Sequence, residues 1–262
     1  MKDLKRFEQL FDLTGEVAIV TGASQGNGAA IANALHAAGA EVIGTDVAFP
    51  EESCQLVPEI KHLYMDVTNE DEIVSVFKKV AEEYGKITIL CNNAGIMYKD
   101  RVEDLDMARF EKVTDVNLHG VVACTKNVVP YMRKAGGGRI VNIASSQSFL
   151  TSETYSAYSA SKVAVSHLTR IWGEELAKDN ILVNALCPCF VKTPMMVNSI
   201  AKKTEEFGGD AKLGESFFTD QIPLGRILEP EEIGNWVTLL CGKIGASTTG
   251  SNISVTLGQV KL

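Results

Sequence analysis

The feature that most narrows the fold is an alternation maintained along almost the whole chain. Short β-branched runs suited to buried strands are each followed by a longer stretch with apolar residues at helical spacing. Val17-Ala18-Ile19-Val20 reads as a first strand, and Ala30, Ile31, Ala34, Leu35 and Ala38 form a helical stripe stopped by Gly39. Glu41 to Thr45 and His62 to Met65 give the second and third strands. Ile73, Val76, Phe77 and Val80 then mark an amphipathic helix ended by Gly85. Ile87 to Cys91 is a fourth strand. A long helix from about Val116 to Lys134 runs into Gly136-Gly137-Gly138 and a fifth strand, Arg139 to Ala144. Tyr158 to Ala177 reads as helix, Leu182 to Leu186 as strand, Glu231 to Leu240 as helix and Asn252 to Thr256 as the last strand. No linker or repeat divides the pattern. The expectation is an α/β chain whose residues 1–262 form a single doubly wound domain: about seven parallel strands, helices on both faces, and an N-terminal extension at 1–12. Residues 193–223, rich in Met, Lys and Gly, read as an irregular substrate-binding loop or lid.

The gross chemistry excludes several functions. A formal net charge of -8 disfavours nucleic acid, which needs a basic face, and anionic lipid. The six cysteines and four histidines are scattered, so neither a metal site nor a disulfide framework is expected. Met1 to Asp12 mixes charges with Leu and Phe, unlike a secretory signal, and no apolar run approaches the ~18 residues of a membrane span. A soluble cytoplasmic protein acting on small molecules is the expectation.

Thr21-Gly22-Ala23-Ser24-Gln25-Gly26-Asn27-Gly28 joins the first strand to the first helix. A phosphate pair can approach backbone N–H groups at a helix N-terminus only where side chains do not block it, which is a use for glycine there. A plain strand-to-helix turn could hold the same glycines. Asp46 ends the second strand, where a carboxylate can accept hydrogen bonds from ribose hydroxyls and repel a 2′-phosphate. A simple turn aspartate is the competing reading. Neither Gln25 nor Val47 offers a basic group for such a phosphate, so NAD is favoured over NADP.

Tyr158 and Lys162 stand at i and i+4, on one face of a helix. An adjacent ammonium lowers a phenol's pKa toward the range useful for proton exchange with a substrate hydroxyl. Chance alone could give the pair. Ser145, however, ends the fifth strand, at the edge of the sheet where ligands bind, 13 residues before Tyr158.

The spacing Thr-Gly-x-x-x-Gly-x-Gly, the Tyr-x-x-x-Lys pair, Ser145, and Asn117 in Val116-Asn117-Leu118 together resemble the short-chain dehydrogenase/reductase family. The resemblance implies a Rossmann-type fold, a nicotinamide cofactor and an alcohol or ketone substrate. Ser145 would hold the reacting oxygen, and Tyr158 would exchange its proton. Lys162 would bind the nicotinamide ribose and tune Tyr158, while Asn117 would hold a relay water. Cofactor contacts would come from the Gly22–Gly28 loop, Asp46, Asp66 and Val67, Asn93, Ala94 and Gly95, and Val191 and Thr193. Asn92 reads equally as a brace of the sheet. Met97, Gln147, Phe149, Thr151, Ser152, Cys189, Met195 and Met196 would line the substrate pocket, and the mix of polar and apolar groups suits a small hydroxylated ring or polyol. Relatives pair through the helices around Met107 to Lys134 and Tyr158 to Ala177, so a homotetramer or homodimer is expected.

Three positions depart from the family pattern. Asn27 replaces an aliphatic residue, Cys189 stands where glycine is usual, and Ser254-Val255-Thr256-Leu257-Gly258 lacks the usual acidic residue and glycine pair. An NADP-dependent carbonyl reductase and a catalytically silent dinucleotide-binding relative remain the alternatives.

Overall fold

Alternation within the strands decides the layering. In β1 (Val17–Thr21), every residue is buried. Ala18 and Val20 point into one apolar cluster, and Val17 and Ile19 into another on the opposite face. A strand buried on both faces needs helices on both sides. The computed structural model, which describes residues 8–261, supplies them.

The remaining strands are β2 (Glu41–Asp46), β3 (Lys61–Tyr64), β4 (Ile89–Asn92), β5 (Gly138–Ile143), β6 (Ile181–Pro188) and β7 (Asn252–Val255). They form one sheet in the order β3-β2-β1-β4-β5-β6-β7. Every pairing is parallel. On one face lie α1 (Gly26–Ala37) and α8 (Pro230–Cys241), which bury Ile31, Leu35, Ile233 and Val237. On the other lie α2 (Glu70–Tyr84) and α4 (Gly120–Ala135), which bury Phe77, Val80, Val128 and Met132. Helix α3 (Met107–Thr114) and helix α5 (Ser156–Glu175) complete the frame around the functional end of the sheet. Gly85 and Gly136 close α2 and α4 with φ of 79° and 85°, conformations that cost a side-chain-bearing residue free energy.

Three details differ from the sequence expectations. The long helix expected from Val116 is interrupted: a π turn, Asp115–His119, precedes α4, with Gly120 N–H bonded to the Asp115 carbonyl. The segment 193–223 is helical where irregular chain was expected. Thr193 caps α6 (Pro194–Glu206), whose first residue is Pro194, and Asp210 caps α7 (Ala211–Thr219) by accepting from Lys212 and Leu213 N–H. At the end of the chain, Leu257 holds a left-handed φ of 50° where relatives are expected to carry glycine. Of the expected N-terminal extension, residues 1–7 lie outside the described residues.

Helices α1 and α8 pack through small residues. A Cβ at Gly234 would lie 2.5 Å from the Ala30 carbonyl oxygen and 2.9 Å from Ala34 Cβ. Overpacking of this kind costs about 1–3 kcal/mol. Gly234→Ala is therefore expected to lower the unfolding free energy by that amount, seen by circular dichroism as a lower urea midpoint at an unchanged denaturant slope.

Candidate active site

The sheet order reverses between β1 and β4, and the chain leaves these two strands in opposite directions, opening a crevice at their carboxyl ends. Hydrogen bonds join the two strand exits. Thr21 Oγ1 accepts from Asn93 N–H at 3.0 Å and from Ala94 N–H at 3.1 Å. Asn93 Nδ2 donates back to the Thr21 and Gly22 carbonyls at 2.9 and 3.0 Å. The glycine loop is drawn tight behind them. A Cβ on Gly28 would fall 2.0 Å from the Gly22 oxygen and 2.5 Å from Asn93 Nδ2. Only glycine fits there.

One loop contact has no sequence signal. Gly26 N–H, at the start of α1, donates to Gln55 Oε1 at 2.8 Å, while Gln25 makes no side-chain cap. Gln55 N–H donates to the Ser24 carbonyl at 2.8 Å, and the Gln55 carbonyl accepts from Asn33 Nδ2 at 3.0 Å. The stretch between β2 and β3 thus clasps the cradle from a distance that local patterning does not reveal.

Asp46 is fixed by two backbone donors, Ser24 N–H to Oδ2 at 3.0 Å and Val47 N–H to Oδ1 at 2.8 Å. Among the described residues lining the crevice, the basic side chains are Lys112 and Lys162, and neither stands in the loop beside Asp46. Asp66 accepts from Thr68 N–H and Oγ1, which shapes the turn after β3. Val67 is packed so closely that a Cβ on Gly120 would meet its Cγ2 at 2.8 Å. Asn27, the departure inside the glycine loop, lines the crevice with its Oδ1 buried and unpartnered. The N-terminus of α1 suits the phosphates of a dinucleotide and the Asp46 carboxylate its ribose hydroxyls, while the unpartnered Asn27 oxygen can accept only from a donor such as a hydroxyl.

At the other end, Ser145 follows β5 and its Oγ accepts from Gln147 N–H at 3.2 Å, starting a 3₁₀ turn at Ser146–Ser148. Tyr158 and Lys162 project from the first turns of α5, with Lys162 Nζ 5.7 Å from the Tyr158 ring centroid. Lys162 Nζ donates to the Ile143 carbonyl at 2.6 Å. Its own carbonyl accepts from Ser148 Oγ at 3.0 Å, and Ser166 Oγ donates to Ser148 Oγ at 2.7 Å.

Burial governs the protonation of this pair. It raises Tyr158 above the ordinary phenol value, opposed by a hydrogen bond with Ser145. This is opposite to the direction expected from sequence, because desolvation outweighs the Ser145 hydrogen bond. Burial also pushes Lys162 down to about 8.

Asn117 is wholly buried in the π turn and does not line the crevice. Its Oδ1 accepts from Ile96 N–H at 2.8 Å, and its Nδ2 donates to the Ile96 carbonyl at 2.9 Å and Ser161 Oγ at 3.2 Å. A Cβ on Gly95 would approach Asn117 Oδ1 at 3.3 Å and Lys162 Nζ at 3.7 Å, so these two groups flank Gly95. Gly28 likewise stands behind the crevice wall, as packing.

The other predicted residues, Phe149, Thr151 and Ser152 excepted, share one cavity of about 870 Å³, within the range of small-molecule sites. Met97, Gln147, Cys189, Val191, Thr193 and Met195 line it beside Ser145 and Tyr158. Both ends of the Gln147 amide are engaged: Nε2 donates to Ser152 Oγ at 2.9 Å, and Oε1 accepts from Ser159 Oγ at 3.2 Å. Cys189 keeps an ordinary negative φ, so the loop does not demand glycine there. Burial pushes its thiol up to about 11, leaving little thiolate at neutral pH. Tyr155, Phe190 and Phe218 also line the cavity and were missed from sequence. Tyr155 lies three residues before Tyr158, a usable signal, whereas Phe218 arrives from α7 with none.

Comparison with known proteins follows the same lines. The sequence model of the short chain dehydrogenase family matches residues 16–204. The 3-oxoacyl-(acyl-carrier-protein) reductase FabG of Thermotoga maritima is 35% identical over 255 residues, covering 95% of this chain and 99% of that protein. The NAD-dependent glycerol dehydrogenase of Listeria innocua is 32% identical over 254 residues, covering 96% of each. Among solved structures, the ligand-free aldohexose dehydrogenase of Thermoplasma acidophilum superposes with a TM-score of 0.86 at 32% identity, covering 94% of each chain.

The buried lysine has a measurable cost. Its ordinary value is 10.5 and its folded value about 8, so between these pH values the unfolded chain binds more protons. Stability from this group is therefore lowest below pH 8 and rises toward pH 10.5. Lys162→Met is expected to stabilise the fold at pH 7 by about 1–3 kcal/mol, with the gain shrinking toward pH 10.5. Thermal melts across that range check it.

Proposed function

Because the chain belongs to the short-chain dehydrogenase family, we propose that it is an NAD-dependent oxidoreductase interconverting a secondary alcohol and a ketone. The observation that carries the cofactor preference is the Asp46 carboxylate, aimed at the crevice and held by Ser24 and Val47 N–H without a basic side chain in the same loop. A carboxylate there accepts from two ribose hydroxyls and repels a 2′-phosphate. The similarity to a relative named as NAD-dependent supports the same choice.

The glycine loop, Asn27 and the N-terminus of α1 would take the pyrophosphate. Asp66 and Val67 would border the adenine. Asn93, Ala94, Gly95, Val191 and Thr193 would border the nicotinamide half. Bound there, the cofactor supplies the hydride acceptor or donor for the carbinol carbon. The chain's own residues manage the oxygen and its proton. Ser145 orients the reacting oxygen by hydrogen bonding, and Tyr158 accepts its proton in oxidation and returns it in reduction. Because burial holds Tyr158 above the ordinary phenol value, it rests protonated at neutral pH, ready to donate to a ketone. Oxidation needs the Lys162 ammonium to favour the phenolate. Asn117, with both ends of its amide bonded to Ile96 and Ser161, would serve by fixing the backbone beside Gly95 and Lys162.

Self-association belongs to the same reading. Of the apolar positions on α4 and α5, Val122, Val163 and Ile171 remain exposed, while Val121, Val128, Val129 and Val165 are buried in the subunit. The exposed three support pairing of these helices between copies, to a dimer or tetramer. Light scattering at micromolar concentration tests it, and a monomer would refute it.

Calorimetric titration tests the cofactor assignment. Wild type is expected to bind NADH at least about tenfold more tightly than NADPH, with the preference lost in Asp46→Ala. Preference for NADPH would favour the carbonyl-reductase alternative. Tyr158→Phe is expected to keep NADH binding and lose about 10²–10⁴ in turnover. Unchanged turnover would remove Tyr158 from the chemistry.

A further inference from the structure

The part of the cavity next to Ser145 and Tyr158 has a composition that selects among alcohols. Its walls come from four separate segments. Met97 follows β4, Tyr155 precedes α5, Phe190 follows β6, and Met195, Met196 and Phe218 come from the helical pair α6–α7. The aromatic groups are held in place. Phe190 meets Phe218 edge-on at 5.2 Å, Phe218 meets Phe217 at 5.1 Å, and Tyr155 meets Tyr158 at 6.2 Å. Lys99 Nζ sits 5.0 Å from the Tyr155 ring centroid on its other side. Phe218 and Met196 are buried at 3% and 8% exposure, so this wall is a packed surface rather than a loose flap.

The larger polar side chains here other than the tyrosines are held by the protein. Gln147 is held by Ser152 and Ser159, and Lys162 Nζ is bonded to the Ile143 carbonyl. The Cys189 thiol is buried and sits over the Phe190 carbonyl. The charged groups of the cavity leave an anion little to pair with. Asp46 and Asp66 lie at the dinucleotide end, Lys162 Nζ is bonded to the Ile143 carbonyl, and Lys112 stands exposed on α3 between Glu111 and Asp115. A carboxylate drawn into this wall would lose its hydration with no cation free among the described lining residues, Lys99 lying instead against the Tyr155 ring, and that loss is costly.

We propose that the substrate is an uncharged secondary alcohol or ketone carried on an apolar ring or chain, and that the site discriminates against substrates with a carboxylate near the reacting carbon. This rests on the oxidoreductase reading above and specifies its substrate class. It also narrows the small-ring or polyol expectation drawn from sequence: the thioether and phenyl wall leaves a ring or alkyl body favoured and a polyol disfavoured. In oxidation the carbinol C–H would leave as hydride, reducing NAD+ to NADH, and the hydroxyl proton would pass to the Tyr158 phenolate, formed when Tyr158 gives its own proton to solvent, so that the carbonyl product, NADH and one released proton balance the step.

The test compares matched alcohols with NAD+, following NADH absorbance: 2-heptanol against 3-hydroxyoctanoate, cyclohexanol against 4-hydroxycyclohexanecarboxylate, and glycerol as a polyol. The neutral member of each pair is expected to show at least about tenfold higher kcat/KM, and glycerol to fall below both neutral alcohols. Met195→Arg, at a half-exposed position on α6, supplies the missing cation. It is expected to shift the 3-hydroxyoctanoate to 2-heptanol ratio at least about fivefold toward the acid. Equal or better use of the carboxylated members overturns the proposal, as does a protein that binds NADH yet turns over neither neutral alcohol. Those results would leave the dinucleotide reading standing. Failure to bind either NADH or NADPH would overturn that reading, and the proposal with it.

Discussion

Everything at the functional end of this molecule hangs on the weld between the exits of β1 and β4. Thr21 and Asn93 exchange hydrogen bonds across the point where the sheet order reverses, and Gly28 lets α1 close against the Gly22 carbonyl. The two strands are neighbours in the sheet although Thr21 and Asn93 are 72 residues apart in the chain, and these bonds extend the strand pairing into the loops. With the weld in place, α1 aims its N-terminus into the crevice, Asp46 is caught by Ser24 N–H, and the loop carrying Gly95 and Ile96 is presented to Asn117. The cradle, the carboxylate and the proton site are consequences of one junction.

From that junction the chemistry separates along the sheet. Groups suited to phosphates and ribose gather at the ends of β1 and β2, and groups suited to a hydroxyl gather at the end of β5 and the start of α5. The two ends differ in dielectric as well as in composition. Asp46 is partly exposed and held by backbone donors, whereas Lys162 is buried and pushed down to about 8. Solvent screens the first and barely reaches the second. The same cavity thus holds a solvent-screened carboxylate and a desolvated amine.

Much of this was legible in the amino-acid order, for a physical reason: strand burial, helix spacing and glycine turns are local. The strand set and the grouping of Ser145, Tyr158, Lys162 and Asp46 in one cavity follow from patterns within a few residues of each other. What was not legible depends on distant packing. Gln55 clasps Gly26 from 29 residues away, and Phe218 reaches the cavity from α7. The direction of the Tyr158 shift was misjudged because an i,i+4 lysine is visible in sequence and desolvation is not. The α6–α7 pair was read as irregular although its signals were present. Thr193-Pro194 and Asp210 are good helix starts, masked by the Met-, Lys- and Gly-rich composition around them.

The buried amine at position 162 has a consequence for how this chain would change under selection. A group kept at a cost to folding survives only where the reaction rewards it. If variants were ranked by heat resistance or yield alone, hydrophobic replacements at 162 would rise and the catalyst would be lost from the best-folded lineages. Evolution toward robustness in this protein therefore needs turnover in the screen, and solubility or melting temperature would be a misleading proxy for retained activity.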